Sequence, residues 1–282
     1  MAQILSGKEV VAAIKEKMLA DVAELNAKGI TPTLGIIRVG ERGDDIMYEK
    51  GATTRCKSVG VAVKNYLLSE TVTQDELLAV IDEVNKDKSV HGVLLFRPLP
   101  KHIDDETVRN ALAAEKDVDG ITDLSMAGVF TLADKGYPPC TAAACIEILD
   151  HFGIDVKGKR VAVVGRSLVV GKPVAIMLLA KHATVTICHT RTVDMASTCK
   201  NAEIIIACAG KAGLVGTDCL AEGQVVVDVG INYDAQGNFL GGDVVNEAQE
   251  IVAAVTPVPG GVGTVTTSVL VKHVIEAAKK AI

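Results

Sequence analysis

VAVVGRSLVVGKP, residues 161–173, decides how the chain is read. An apolar run, Val161–Val164, is cut off by Gly165-Arg166-Ser167, and after three more apolar residues Gly171 and Pro173 open a helical pattern. Strand, glycine turn and helix, in that order, present backbone N–H groups and a helix N-terminus to a phosphate. The spacing is G-x5-G-x-P, not the G-x-G-x-x-G dinucleotide fingerprint. On spacing alone, a tight strand–helix turn without any ligand is an equal alternative.

On both sides of this stretch strands and helices alternate. Ser6 can cap a helix running to about Ala27 and stopped by Gly29, with Val10, Ile14, Met18 and Val22 at helical spacing. Thr33–Val39 has the pattern of a strand; Asp44 and Asp45 lead into a helix ending near Gly60, and strand Val61–Leu68 follows. Thr73-Gln-Asp-Glu76 is a capping box for a helix to about Asp87, before the buried strand Gly92–Leu95. Short helices at Asp104–Leu112 and Asp123–Phe130 flank a polar loop, and Thr141 is expected to cap a helix to about His151. After Arg160 come strand Val161–Val164, a helix to Lys181, strand Thr184–Cys188 and a helix near Asp194–Lys200. Strands Glu203–Ala207, Gln224–Val229 and Val252–Thr256 and a last helix from about Val265 complete the series. Such alternation implies right-handed crossovers and mainly parallel sheets.

A chain of 282 residues suggests two domains, with a boundary near Pro138–Thr141. Hydrophobic residues reach 49% while aromatics stay at 3% with no Trp, so the apolar mass is Val, Ile, Leu and Ala, as in parallel strands buried on both faces. The net charge of −6 gives no general basic character, so neither nucleic acid nor a membrane surface is an expected partner. The seven cysteines form no C-x-x-C pair and several sit in apolar runs, which points to buried reduced thiols rather than a disulfide or metal framework. The start, MAQILSGKEV, lacks a signal-peptide pattern, and no apolar run reaches the ~20 residues that span a bilayer. A cytoplasmic location is the expectation.

In parallel sheets ligands bind at the carboxyl ends of strands. Five segments fall there: Gly165–Ser167, His189–Thr192, Ala209–Lys211, Gly230–Asn232 and residues 257–263. The end of the second strand of a Rossmann-like domain meets the adenosine ribose, where an acid suits NAD and an arginine suits the 2′-phosphate of NADP. Here it reads His-Thr190-Arg191-Thr, which favours NADP without excluding NAD, although Arg191 could also be a solvated surface charge. Lys116-Asp117-Val118-Asp119-Gly120 places two carboxylates in a glycine-ended loop, a density that turn chemistry alone can explain. No His/acid cluster has metal-ligand spacing, and no G-x-S-x-G or Ser/His/Asp pattern marks a nucleophile.

Taken together, four segments make the chain resemble the methylenetetrahydrofolate dehydrogenase/methenyltetrahydrofolate cyclohydrolase family, the FolD-type enzymes. They are Gly165-Arg-Ser-x3-Gly171-x-Pro173, Lys116-Asp-Val-Asp-Gly120, Asp228-Val-Gly-Ile-Asn232 and Thr256-Pro-Val-Pro-Gly-Gly-Val-Gly263, and the resemblance covers nearly the whole chain. It implies an α/β protein of two domains with a cleft between them. One is an α/β folate-binding domain, residues 1–138 completed by the C-terminal helix 265–282; the other is a Rossmann-like, doubly wound dinucleotide-binding domain, residues 139–264. It also implies a homodimer, NADP as cofactor and a tetrahydrofolate substrate. By resemblance, Tyr48 stacks on the folate's aminobenzoate region and Asp119 accepts hydrogen bonds from the pterin, which makes these the candidate catalytic pair. Pro259 and Gly260 border the folate. Gly165, Arg166, Ser167 and Gly171 meet the cofactor phosphates, Thr190 and Arg191 lie near the adenosine end, and Ile231 lies towards the nicotinamide.

The implied activity moves a hydride from 5,10-methylenetetrahydrofolate to NADP, and cyclohydrolase chemistry would then yield 10-formyltetrahydrofolate. For the second step the family places a lysine four residues after the tyrosine, where this chain has Ala52. Lys50 is no substitute: on a helix, i+4 shares the face of Tyr48 while i+2 is rotated about 200° away. Arg55 returns to that face about 10 Å along the axis, but a guanidinium is too weakly acidic to serve as a base. The family's Gln, partner of that lysine, is replaced by Phe96 in Gly92-Val-Leu-Leu-Phe96-Arg97-Pro-Leu-Pro100. Cys140-Thr-Ala-Ala-Ala144 and Gly263-Thr-Val-Thr266 also depart from the family pattern. The expectation is a dehydrogenase with weak or absent cyclohydrolase activity; a bifunctional enzyme and a low-turnover folate- or dinucleotide-binding protein are the alternatives.

Overall fold

The structure, a computed structural model, describes residues 1–281. In chain order the first elements are β1 (Gln3–Ile4), α1 (Gly7–Ala27), β2 (Thr33–Val39), α2 (Gly43–Lys57), β3 (Ala62–Leu68), α3 (Gln74–Lys86), β4 (Gly92–Leu95), α4 (Asp105–Ala111) and α5 (Asp123–Thr131). The second half holds α6 (Cys140–His151), β5 (Arg160–Val164), α7 (Gly171–Ala180), β6 (Thr184–Cys188), α8 (Met195–Lys200), β7 (Ile204–Ala207), β8 (Val225–Asp228), β9 (Asn232–Tyr233), β10 (Phe239–Gly241), α9 (Ala248–Ile251), β11 (Ala254–Val255) and α10 (Val262–Lys280). Two compact units result: residues 1–12 with 141–266, and residues 13–140 with 267–282, so that the division falls inside α1 and α10.

The first unit carries a six-stranded sheet in the order β1-β11-β8-β7-β5-β6 with every neighbouring pair parallel. β5 sits between β6 and β7, so the connection through α7 leaves to one side and the next strand returns on the other. That makes the carboxyl end of β5, where Gly165 stands, the topological switch point of a doubly wound sheet. The β-branched runs that filled these strands in the sequence are buried on both faces: Val161, Val163, Ile205, Ile206, Val226 and Val227 are all at most 1% exposed.

The second unit has a three-stranded parallel sheet, β3-β2-β4, with β2 in the centre. Leu77, Ile81 and Val84, one face of α3, pack with Ile37, Val93 and Leu95 of the sheet. Local signals set the helix starts as expected. Thr73 closes a capping box with Glu76, and Asp104 and Thr122 each accept from the backbone at their helix's third residue.

Some expectations are corrected. Thr141 does not cap α6, which already starts at Cys140; its carbonyl accepts from the Cys145 thiol one turn on. The last helix starts three residues before Val265, at Val262, and the last strand is only Ala254–Val255. β1 and the antiparallel pair β9–β10 were not foreseen, because strands of two or three residues carry no periodicity to detect. All seven cysteines are free thiols and six of them are buried. Among the described residues no helix is long and apolar enough to cross a membrane.

Candidate active site

In the three-stranded unit α2 presents Tyr48 and, one turn later, Ala52, whose side chain is completely buried. Lys50 is exposed, on a different face of the helix. Arg55 is half-buried, and its Nε is buried without a hydrogen-bond partner among the described residues. Phe96, the residue after β4, is 8% exposed and meets Tyr48 edge to face, with ring centroids 5.9 Å apart at 85°. An aromatic ring and a methyl group thus surround the tyrosine where a lysine–glutamine pair was the family pattern. Burial, with the neighbouring Asp119 and Cys140, pushes the Tyr48 phenol well above its usual value. It stays protonated at neutral pH.

The loop after α4 divides its two carboxylates between two tasks. Asp117 is fully buried and accepts from the Ile121 and Thr122 amides at 3.0 and 2.8 Å and from the Ser125 hydroxyl at 2.6 Å. This is turn chemistry, as the composition of the loop allowed. Lys116 anchors the other end, donating to the Val84 and Asp87 carbonyls at 2.7 and 2.6 Å. Gly120 has φ +69°, and a Cβ there would lie 2.5 Å from the Pro139 nitrogen. Asp119, held between these anchors, stands beside the Cys140 thiol; burial raises its carboxyl to about 7, Asp117 adds to the rise and Arg97 opposes it. Arg97 itself is paired with Asp105, its Nε donating at 2.6 Å.

In the six-stranded unit the turn after β5 is built around two glycines. Gly165 has φ +135°, and a Cβ there would lie 2.3 Å from the Cys208 carbonyl oxygen. At Gly171 a Cβ would lie 2.3 Å from the Gly165 carbonyl oxygen, so the helix starts in contact with the turn. Val170, before α7, offers no side-chain cap, and the Ser167 hydroxyl accepts from its amide at 3.1 Å. At the start of this ten-residue helix the Lys172 amide donates to the Ser167 carbonyl at 3.0 Å and Pro173 has no N–H, so the positive end of the helix and the exposed Arg166 and Ser167 are what suit an anionic phosphate group.

Thr190 and Arg191 follow β6 and are exposed; the Arg191 amide donates to His189 Nδ1 at 3.1 Å, and its guanidinium makes no ion pair among the described residues. Ile231 is 51% exposed, and a Cβ on Gly263 would come within 3.1 Å of its Cδ1. Gly260 accepts from the Gly7 amide at 2.9 Å, fixing the Pro-Gly segment against the start of α1, and the Val258–Pro259 bond is cis.

Two acids organise these loops: Asp228, which opens one of the family segments but had no role of its own there, and Asp243, which the sequence did not single out. Asp243, fully buried, accepts from the amides of Ala209, Gly210 and Lys211 at 2.6, 2.9 and 2.9 Å and from Asn232 Nδ2 at 3.0 Å. Asp228, raised to about 6 by burial, accepts from Gly230, Asp243 and Val244 amides at 2.9–3.0 Å. The signal available was a single acid after Gly241-Gly242 and before a Val-Val pair, too little to assign a partner.

The family models settle the class. Residues 5–119 match the catalytic domain of tetrahydrofolate dehydrogenase/cyclohydrolase and residues 139–282 match its NAD(P)-binding domain. The chain belongs to the tetrahydrofolate dehydrogenase/cyclohydrolase family. It is similar to the bifunctional protein FolD of Clostridioides difficile, with 46% identity over 98% of this chain and 96% of the relative. The crystal structure of the bifunctional FolD enzyme from Campylobacter jejuni superposes with a TM-score of 0.96 at 37% identity, covering all of both chains. That of the Trypanosoma brucei dehydrogenase-cyclohydrolase, complexed with NADP and an inhibitor, has a TM-score of 0.92 at 33% identity over 99% and 98% of the chains. Within this family the chain is an oxidoreductase of one-carbon folate chemistry.

Proposed function

We propose that the enzyme oxidises 5,10-methylenetetrahydrofolate to 5,10-methenyltetrahydrofolate with NADP, and that its cyclohydrolase activity is weak or absent. The observation that carries the second half is the buried pair Ala52 and Phe96 around Tyr48. NADP, when bound, supplies the hydride acceptor. The turn at Gly165, Arg166, Ser167 and Gly171 holds its phosphates; Thr190 and Arg191 lie at the adenosine end, where the unpaired guanidinium favours a 2′-phosphate; Ile231 borders the nicotinamide. Tyr48 supplies a flat, protonated platform for the aminobenzoate ring, and Asp119 accepts from the pterin. Pro259 and Gly260 are assigned to the folate, and a homodimer to the molecule, by resemblance alone.

The two steps make different demands. Loss of hydride from a carbon flanked by two nitrogens leaves an amidinium cation and releases no proton. The protein therefore needs to orient the reactants and exclude water, not to supply a base. Hydrolysis of the methenyl group needs a proton taken from the attacking water and another delivered to the departing ring nitrogen. A methyl group and a phenyl ring can do neither, and the raised phenol of Tyr48 is a poor base at neutral pH. A bifunctional enzyme is the second reading, favoured by the bifunctional relatives and by Asp119, whose carboxyl at about 7 is suited to proton transfer.

Both steps are separable in one preparation. NADPH should form when the protein meets methylenetetrahydrofolate and NADP, while methenyl hydrolysis should run slower by a factor of about 100 or more. Hydrolysis at a rate comparable to NADPH formation supports the bifunctional reading instead. Ala52→Lys with Phe96→Gln should raise hydrolysis selectively.

A further inference from the structure

Val118 precedes the candidate pterin ligand, and its peptide is held in an unusual way. Among the described residues no backbone amide donates to its carbonyl oxygen. Two side chains do so instead: the Cys140 thiol at 3.2 Å and His273 Nδ1 at 2.9 Å. Cys140 is the first residue of α6 and His273 lies in the C-terminal part of α10, so two elements remote in sequence converge on one oxygen. The ring of His273 packs on Tyr137 with centroids 5.0 Å apart, and both residues are at most 5% exposed. Burial lowers His273 to about 4, so the ring is neutral at cellular pH. The Val118 carbonyl can only accept, which places the single ring proton on Nδ1. Val118 is itself fully buried against Gly92, where a Cβ would lie 2.4 Å from its Cγ1. The backbone one bond before Asp119 is thereby fixed through both its side chain and its carbonyl.

We infer that His273 is a positioning residue for the folate: through the Val118 carbonyl it fixes the peptide that aims the Asp119 carboxylate at the pterin. The inference rests on the reading of Asp119 as the folate ligand. It goes beyond that reading by giving α10 a specific share in substrate recognition. A histidine needed only to fill space would act through stability alone. One acting through Asp119 changes folate binding and leaves the dinucleotide site untouched.

The test uses the full-length enzyme with four variants: His273→Phe, His273→Asn, Asp119→Asn and the double variant Asp119→Asn/His273→Phe. Phenylalanine keeps a ring on Tyr137 but has no donor, whereas the Asn side-chain nitrogen occupies the position of the histidine Nδ1. H273F is expected to raise the KM for methylenetetrahydrofolate roughly five- to tenfold, the worth of one hydrogen bond, with kcat and the NADP Kd nearly unchanged. H273N should return to within about twofold of the parent, and the double variant should bind folate no worse than D119N. The inference is overturned if H273F alters Tm but not the folate KM, if H273N is as impaired as H273F, or if the D119N and H273F effects multiply. Should H273F fail to fold, the folate KM of H273N decides by itself: a value near the parent's supports the donor role, and a large rise sinks it. An unchanged folate KM in D119N instead identifies the assignment of Asp119 as the error.

Discussion

At position 119 burial sets a carboxyl group to about 7, above its ordinary value, and the sign of the resulting pH dependence is fixed. A group that binds its proton more tightly in the folded state favours folding fully below the ordinary carboxylate range near 4, and that contribution is lost as pH rises to about 7. Asp119→Asn cannot ionise. Its Tm should therefore gain on the parent's as pH rises from about 4 to about 7 and hold a constant margin above that; a margin that does not change with pH would contradict the assignment. The KM for folate should fall over the same range in the parent, because the ionised carboxylate is the better acceptor for pterin N–H groups. At this scale much was readable in advance. The replacement of a lysine by Ala52 follows from the family resemblance, and helical periodicity adds that Lys50 is no substitute, since i and i+4 share a face. From the residues themselves the division between Asp117 and Asp119 could not be read, and only the family resemblance picked out Asp119. Both sit in the same five residues, and only the fold decides which one meets the amides of Ile121 and Thr122.

Among the elements, the turn between β5 and α7 is the most exacting. Gly171→Ala puts a methyl group 2.3 Å from the Gly165 oxygen, so the helix start must move. The expected result is a loss of about 1–3 kcal/mol in stability together with weaker NADP binding, measured by denaturant melts and by titration of the cofactor. The Asp243 clamp should be more sensitive still. Asp243→Ala leaves three amides and Asn232 without their acceptor, at a cost of about 3–5 kcal/mol, whereas Asp243→Asn keeps the shape and one accepting oxygen and should lose less. Hydrogen exchange at Ala209–Lys211 distinguishes local loosening of these loops from global unfolding. The long strands and helices were evident from their periodicity. The short pair β9–β10 was not, and the loops after β7 and β8 could be placed at their strand ends but not shaped, because their geometry depends on a buried acid that no local pattern announces.

For the whole molecule, the alternation of strands and helices was enough to specify two parallel α/β units. It did not reveal that the first few residues belong to the sheet of the second half. Gln3 and Ile4 pair with Ala254 and Val255, the amides of Ala2, Gln3 and Leu5 donate to the carbonyls of Gln249, Ala253 and Val255, and Leu5 is completely buried. Removing residues 2–5 should lower Tm by roughly 5 °C or more and speed exchange at the Val255 amide, which faces β1, while Ala254, whose amide donates to the Gln224 carbonyl, keeps its protection. Unchanged exchange at Val255 would show that the edge strand contributes nothing.

The same pairing puts the chain's beginning and end under a timing constraint. On the ribosome the chain emerges at about 5–20 residues per second, so β1 waits roughly ten to fifty seconds before its partner is made. Throughout that interval Leu5 and the edge-strand amides have no native place to go, and the nascent dinucleotide-binding sheet lacks both β1 and β11. Correct folding of residues 2–5 therefore waits on the synthesis of residues 254–255 and does not follow from their own local propensity.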